Sequence, residues 1–155
     1  MLVIAAVTLL ASCGFQLQGA LTTPTEMERT FIAADDRKSP FYRAFRQSLK
    51  EAGVNVVEAS TDATATFTIS FDKTGQRVLS VSARNVPTEY EVFYTIEYAL
   101  HSGESNLVEL QTLTLTRNYT YDSTLVLGKA REAELLRDAI VDDLVRIVLK
   151  QISAL

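Results

Sequence analysis

Apolar residues recur at every second position over long stretches of the chain between residues 64 and 121. The longest such stretch is 89–101, in which one face carries Tyr90, Val92, Tyr94, Ile96, Tyr98 and Leu100. Strict alternation is typical of a strand with one buried face. The turn residues 102–105 separate this stretch from a second alternating segment, 107–121. Together the two segments predict an antiparallel hairpin.

A third alternating stretch begins at residue 64 and places Phe67, Ile69 and Phe71 on one face. Residues 73–76 interrupt the pattern, which resumes in the same odd-numbered phase with Leu79 and Val81. This sequence predicts either one long strand with a bulge or a hairpin at Gly75. Shorter apolar segments at 27–34 and 54–57 predict a first strand and a brief second one.

Two segments have helical rather than strand periodicity. Ser39 and Pro40 provide a cap and a first helical residue, and apolar residues then recur at three- and four-residue spacing until Gly53. A longer helix is predicted from Ala130 to about Ile152, with acidic residues early and basic residues late in its exposed row. The predicted fold class is α+β, with two helices packed on one face of a mainly antiparallel four-stranded sheet.

The N-terminal segment has the pattern of an export signal. Residues 1–10 are apolar apart from Thr8, too short a run to span a bilayer, and they lead into Leu10-Ala11-Ser12-Cys13. These four residues fit the lipobox of bacterial lipoproteins, in which the cysteine is acylated and becomes the new N-terminus. We therefore expect a lipoprotein signal peptide at 1–12, a lipidated tether at 13–26 starting with Cys13, and a single domain at 27–155.

Composition excludes several functions. The chain has 15 Lys and Arg against 19 Asp and Glu, a net charge of −4, which argues against a general nucleic-acid binder. It contains one Cys, one His and no Trp, so neither an internal disulfide nor a Cys/His zinc cluster can be built. No nucleophile elbow, phosphate loop or metalloprotease motif occurs. The sequence predicts a protein that is not an enzyme and that needs no cofactor or metal.

Six cationic residues lie at predicted strand ends and in predicted loops. They are Lys73, Arg77, Arg84, Arg117, Lys129 and Arg131. In an acidic chain these residues form either a local rim that binds phosphate groups or ordinary scattered surface charges, and their spacing leaves both interpretations open. Glu91 and Glu97 are predicted to lie on a solvated sheet face, roughly 20 Å apart, too far for a glycosidase acid pair.

Several motifs, in order, resemble the LPS-assembly lipoprotein LptE (RlpB) family of Gram-negative bacteria. The first is the run CGFQLQG at 13–19, in which Gln18 stands where the family usually has Arg. The helix at 41–53 follows, then Arg84-Asn85 with Thr88-Glu89-Tyr90, and finally residues 121–123 and 127–129 before the last helix. The resemblance covers essentially the whole chain after the predicted signal peptide.

This resemblance implies a fold of two helices on a four-stranded sheet and a non-enzymatic function. It implies an outer-membrane lipoprotein on the periplasmic side, anchored through its acyl chains, whose body plugs the lumen of the LptD β-barrel. There it would help to assemble the barrel and to deliver LPS to the outer leaflet, with Arg84 and Lys129 at the positions of the family's proposed LPS contacts. The alternative is an accessory or scaffold lipoprotein for a different outer-membrane assembly.

Overall fold

The computed structural model describes residues 23–155, which form five strands and two helices. In chain order the elements are β1 (Arg29–Ala34), α1 (Pro40–Glu51), β2 (Asn55–Val57), β3 (Ala65–Val81), β4 (Pro87–Ser102), β5 (Ser105–Thr120) and α2 (Val126–Ile152). The strands form one sheet in the order β2-β1-β3-β4-β5. The α+β class predicted from the sequence is confirmed.

The sheet is mixed and has five strands, so the prediction of a mainly antiparallel four-stranded sheet is wrong in strand number and in pairing. β1 pairs in parallel with both β2 and β3, whereas β3, β4 and β5 form an antiparallel meander. The β1–β2 pair is parallel because α1 connects the two strands as a crossover, which returns the chain in the same direction. β2 has only three residues, too few for alternation to assign it to the sheet.

Helix α1 starts and ends close to the predicted positions. The Ser39 hydroxyl accepts a hydrogen bond from the Tyr42 backbone N–H at 3.0 Å, which caps the helix, and Pro40 occupies the first turn. Gly53, one residue beyond the C-cap, has a φ of 86°, a conformation that favours glycine. The predicted apolar stripe is buried at Phe41, Phe45 and Leu49.

Both helices cover the same face of the sheet. The Phe45 ring on α1 packs against Phe67 of β3 at 4.3 Å, and Phe67 in turn lies 5.5 Å from Tyr98 of β4. The Tyr98 phenol donates a hydrogen bond of 2.5 Å to Oε1 of Gln151 on α2. α2 begins at Val126, four residues before the predicted start. Neither helix of the described region is long and apolar enough to cross a bilayer.

β3 is one strand of 17 residues with a bulge, so the alternative of a hairpin at Gly75 is wrong. Its register against β4 shifts between Ile69 and Phe71. One extra residue reverses the alternation, because successive side chains point to opposite faces. Beyond the shift Asp72 and Thr74 lie opposite inward-facing residues of β4, whereas Leu79 and Val81 are exposed. The prediction that the odd-numbered phase continues inward past Gly75 is therefore wrong.

Candidate functional site

Arg84 lies at the tip of the turn between β3 and β4. The Ser82 hydroxyl accepts hydrogen bonds from the backbone N–H groups of Arg84, at 3.3 Å, and Val86, at 3.2 Å. Asn85 adopts a φ of 60°, a left-handed conformation that Asn tolerates better than most residues. Within residues 23–155 the Arg84 guanidinium forms no ion pair. An ordered turn thus presents an exposed cation to solvent.

Lys129 lies in the first turn of α2, not in a loop as predicted. Its ammonium group is 2.8 Å from Oε2 of Glu132, and its side chain is only 19% exposed. A cation at a helix N-terminus is unfavourable beside the positive end of the helix dipole, and the Glu132 carboxylate offsets this cost. Lys129 is therefore a cation held in place by an acidic neighbour.

The loop before α2 is ordered by Asp122. Its Oδ1 accepts hydrogen bonds from the hydroxyl of Thr124, at 2.7 Å, and from the Thr124 backbone N–H, at 2.8 Å. These bonds, and more weakly the Lys129 charge, lower the pKa of Asp122. The Tyr121 backbone N–H donates to the Thr88 carbonyl at 2.8 Å, which joins this loop to the start of β4. Arg84 and Lys129 consequently lie at the same end of the sheet.

Three tyrosines pack beneath this end. The Tyr90 ring lies 5.8 Å from Tyr119 and 5.1 Å from Tyr121, the latter in an edge-to-face arrangement. Burial raises the pKa of Tyr119, and the neighbouring tyrosines and Glu132 add to the effect. The cluster connects β4, β5 and the loop before α2, so it gives the two loops a rigid base.

The same end exposes an unusual number of aliphatic side chains. They include Leu79, Val81 and Val86 on the β3–β4 hairpin and Leu125, Val126 and Leu127 at the start of α2. Leu127 is 87% exposed, whereas most leucines in folded domains are buried. Aliphatic groups beside Arg84 and Lys129 make this end amphipathic. We call it the amphipathic end, defined by these six residues with Arg84 and Lys129.

Comparison with known proteins identifies the family. Residues 27–152 match the family model described as LptE, lipopolysaccharide-assembly. The chain belongs to the LptE family. The LPS-assembly lipoproteins LptE of Yersinia pestis (strain Pestoides F) and Yersinia pseudotuberculosis (serotype O:1b) are each 25% identical to it over 148 residues, which cover 95% of this chain and 71% of theirs.

Solved structures of related lipoproteins share the fold of this LptE-family chain. The solution structure of lipoprotein B from Nitrosomonas europaea has a TM-score of 0.76 at 27% identity and covers 91% of each chain. The crystal structure of the rare lipoprotein B from Shewanella oneidensis has a TM-score of 0.70 and covers 81% of this chain and 94% of that one. At 22% identity the second likeness shows the fold alone.

The other four predicted cations do not join Arg84 and Lys129 in one rim. Arg77 pairs with Glu91 on the sheet face opposite the helices, and Lys73 lies over the Phe71 ring at 5.4 Å. Arg117 pairs with Asp143 of α2, and Arg131 pairs with Glu134. For these four residues the interpretation as scattered surface charges fits the structure.

Glu91 is buried, so the prediction of a solvated position is wrong. The residue is 8% exposed and lies directly opposite Arg77 in the β3–β4 register. The Arg77 guanidinium also lies 5.7 Å from the Phe93 ring centre and so covers this part of the sheet face. Alternation could not reveal this burial, because the covering side chain comes from a neighbouring strand.

Sequence reasoning also missed the aliphatic part of the amphipathic end. Leu125, Val126 and Leu127 are three consecutive apolar residues beside a glycine. Such a run is as typical of the start of a buried helix face as of an exposed apolar surface. The predicted lipidation site at Cys13 and the signal peptide at 1–12 lie outside the described residues, as does most of the predicted tether at 13–26.

Proposed function

We propose that this protein is an outer-membrane lipoprotein, anchored through acyl chains on Cys13, that occupies the lumen of the LptD β-barrel, helps the barrel to assemble and assists LPS delivery to the outer leaflet. Membership of the lipopolysaccharide-assembly family supports a function in LPS assembly. The proposal adds three points to family membership: the barrel partner, the position in its lumen, and LPS contacts at Arg84 and Lys129.

The amphipathic end is the feature of the structure that supports a contact with LPS. LPS joins acyl chains to phosphate groups, so a protein surface that binds it needs apolar groups beside cations. Arg84 sits on an ordered turn without a carboxylate partner among residues 23–155 and is available for a phosphate. The aliphatic side chains of the hairpin and of the α2 start lie at the same end of the sheet.

The position of the chain's N-terminal side supports delivery away from the anchor. The Thr64 hydroxyl donates to the Glu26 carbonyl at 2.7 Å, and the Ser102 hydroxyl donates to the Thr64 carbonyl at 3.0 Å. Residue 26 therefore lies at the end of the sheet that carries the β4–β5 turn. β4 runs between the two ends over 16 residues, roughly 50 Å. With Cys13 in the inner leaflet, a domain upright in the barrel directs Arg84 towards the outer leaflet.

The sheet face opposite the helices suits a polar barrel lumen. The β5 part of this face carries Thr112, Thr114 and Thr116, and the Thr114 hydroxyl is 2.9 Å from the Thr95 hydroxyl of β4. The lumen of a large outer-membrane barrel is polar and hydrated, so a plug must present hydrogen-bonding side chains over much of its surface. The threonines of β5 provide such side chains on this face, next to the Arg77–Glu91 ion pair.

Affinity purification of the tagged, lipidated protein from outer membranes tests the proposal. We expect a stoichiometric LptD barrel to remain after mild detergent washing, as identified by mass spectrometry. The same preparation of a Cys13→Ala variant controls for anchoring, because a chain without acyl groups is retained at the outer membrane only through a protein partner. A folded, abundant lipoprotein that retains a different outer-membrane protein would favour the accessory or scaffold alternative, and one that retains no barrel would contradict the plug.

A further inference from the structure

Among residues 23–155, β5 is the last strand of the sheet and has one free edge. Its register with β4 is continuous over ten residues, from Gln111 opposite Tyr98 to Thr120 opposite Glu89. Within residues 23–155 no strand pairs with its other side. Half of the backbone N–H and C=O groups in this stretch point away from β4, so the edge offers a regular row of unpaired donors and acceptors.

The β5 edge lacks the features that normally prevent another strand from pairing with free backbone N–H and C=O groups. Residues 111–120 contain no proline, glycine or lysine, and the one charged residue is Arg117. The Arg117 guanidinium is occupied by Asp143 of α2, at 2.5 Å. Soluble proteins usually protect exposed edges with charges, prolines, bulges or short strands. None of these devices acts on this stretch of β5.

The other free edges of the sheet are protected. β2 is three residues long and is followed by Glu58, which pairs with Arg46 at 2.5 Å and with Arg37 at 3.6 Å. β3 runs past the end of β1, but that extension has shifts of register and carries Lys73 and Arg77. Among the described residues, β5 alone has a long, regular and nearly uncharged free edge.

An apolar side chain of α2 lies beside the middle of this edge. Asp143 contacts Arg117 of β5, and the Gln151 side-chain amide donates to Gln111 of β5 at 2.9 Å. Ile147 lies four residues from both Asp143 and Gln151, so it shares their side of the helix. Its position is therefore level with the centre of the 111–117 stretch. Ile147 is 39% exposed and has an apolar surface left to cover.

We propose that two copies of this chain pair through β5, edge to edge and antiparallel, about a two-fold axis near Leu115. In this register Leu115 faces Leu115 of the second copy, Thr114 faces Thr116, and Arg117 faces Leu113, so no like charges meet. The β5 edge is thus complementary to itself. Pairing joins the two sheets into one and satisfies the free backbone groups.

The helices fit this arrangement. α2 packs over both β4 and β5, and neighbouring strands lie about 4.8 Å apart, so the two α2 helices would lie about 10 Å from each other. This is the ordinary distance between packed helices. Because Ile147 is level with the two-fold axis, the Ile147 side chains of the two copies would meet there.

A second copy of this chain fits the β5 edge better than a strand from another protein, because of the position of Ile147. A foreign strand would pair with the β5 backbone, but only a two-fold partner brings a second Ile147 to the same point. The pairing does not rest on the proposed function, since it involves neither Arg84 nor Lys129. It protects the edge from unspecific pairing with other strands.

The mass of the full-length lipidated protein in detergent, measured by sedimentation over a series of concentrations, tests the pairing. We expect a concentration-dependent dimer. Ile147→Lys places two ammonium groups at the axis and should raise the dissociation constant at least about tenfold. Leu135→Lys is the matched control, because Leu135 is an exposed residue of the same helix that lies twelve residues away, beyond the overlap of the two helices. It should leave the constant unchanged.

Oxidative crosslinking locates the contact. Ile147→Cys should form a disulfide-linked dimer, whereas Leu135→Cys should not. The acylated Cys13 has no free thiol to crosslink, and the wild type controls for any chains that escape acylation. A monomer at all concentrations would overturn the proposal. Hydrogen exchange of the β5 amides would then show whether another segment pairs with the edge. A monomer in which residues 1–22 protect these amides would also overturn the proposal. A dimer that Ile147→Lys leaves intact and that does not crosslink at 147 would overturn it too.

Discussion

The phenol of Tyr94 on β4 donates a hydrogen bond of 2.6 Å to Oδ1 of Asp72 on β3. The other carboxylate oxygen accepts from the hydroxyl of Ser39, the residue that caps α1. Asp72 faces the helices only because the bulge after Ile69 reverses the alternation of β3. One carboxylate thus joins the bulge, the neighbouring strand and the start of the first helix.

Replacing Tyr94 by Phe should lower the free energy of unfolding by about 1–2 kcal/mol, because a partly buried carboxylate loses a donor. Denaturant unfolding followed by circular dichroism measures the change. Tyr121→Phe is the control, since within the described residues the Tyr121 phenol makes no hydrogen bond. In a double-mutant cycle with Ser39→Ala the two losses should couple, and strictly additive losses would contradict a shared network.

Stability should fall in alkaline solution. Burial, and next the hydrogen bond to Asp72, raise the pKa of Tyr94 above its usual 10.0. The folded state therefore holds the phenol proton more tightly than the unfolded state, and this stabilisation is complete below pH 10 and is lost as the pH rises beyond it. Unfolding free energies at about pH 9 and pH 11 should differ less in Tyr94→Phe than in the wild type. An equal pH dependence in both would refute the assignment to Tyr94.

Arg77→Ala should destabilise the protein by about 1–3 kcal/mol, because it leaves the buried Glu91 carboxylate without its cation. Adding Glu91→Gln should recover part of the loss, since the amide carries no charge to bury. Thermal unfolding of the two single variants and the double variant measures this coupling. Arg131→Ala, which removes an exposed partner of Glu134, should change stability by less than about 0.5 kcal/mol.

LPS binding should respond to charges at the amphipathic end. Arg84→Glu together with Lys129→Glu should weaken binding of purified LPS at least about tenfold, whereas Glu132→Gln should strengthen it by releasing the Lys129 ammonium. Circular dichroism controls for folding, and Arg131→Glu controls for net charge on the same helix. Unchanged LPS affinity in the double variant would rule out Arg84 and Lys129 as the binding cations.

The fold followed from local patterns wherever a local interaction decides the structure. Ser39, Pro40 and the apolar spacing after them define α1, because a cap and a helical stripe involve only residues within a few positions. The alternation in 89–101 places Val92, Tyr94 and Ile96 inward, as the structure has them. Alternation gave the wrong inward-facing residues after the β3 bulge, since one extra residue reverses the faces without changing the composition of the strand.

The candidate site divides in the same way. Its two cations were identified from the sequence through a family resemblance, while their surroundings were not. Lys129 contacts Glu132 because α2 begins at Val126. Arg84 pairs with no carboxylate of residues 23–155, because the turn built by Ser82 and Asn85 holds it away from them. The exposure of the aliphatic residues beside these cations could not be predicted, because it depends on which part of the sheet the two helices cover.

Periodicity and capping in the sequence are enough to predict the α+β class, both helices, the strands β4 and β5 and most of the apolar face of each helix, because these signals act over a few residues. Ile147, which the helical spacing places on the apolar face of α2, is instead 39% exposed. The parallel pairing of β1, the burial of Glu91 under Arg77 and the separation of the other four cations from Arg84 and Lys129 depend instead on tertiary contacts. The same contacts leave β5 with an edge that no strand of residues 23–155 covers, beside Ile147. These features depend on which strands become neighbours, and that is set by the packing of the whole core.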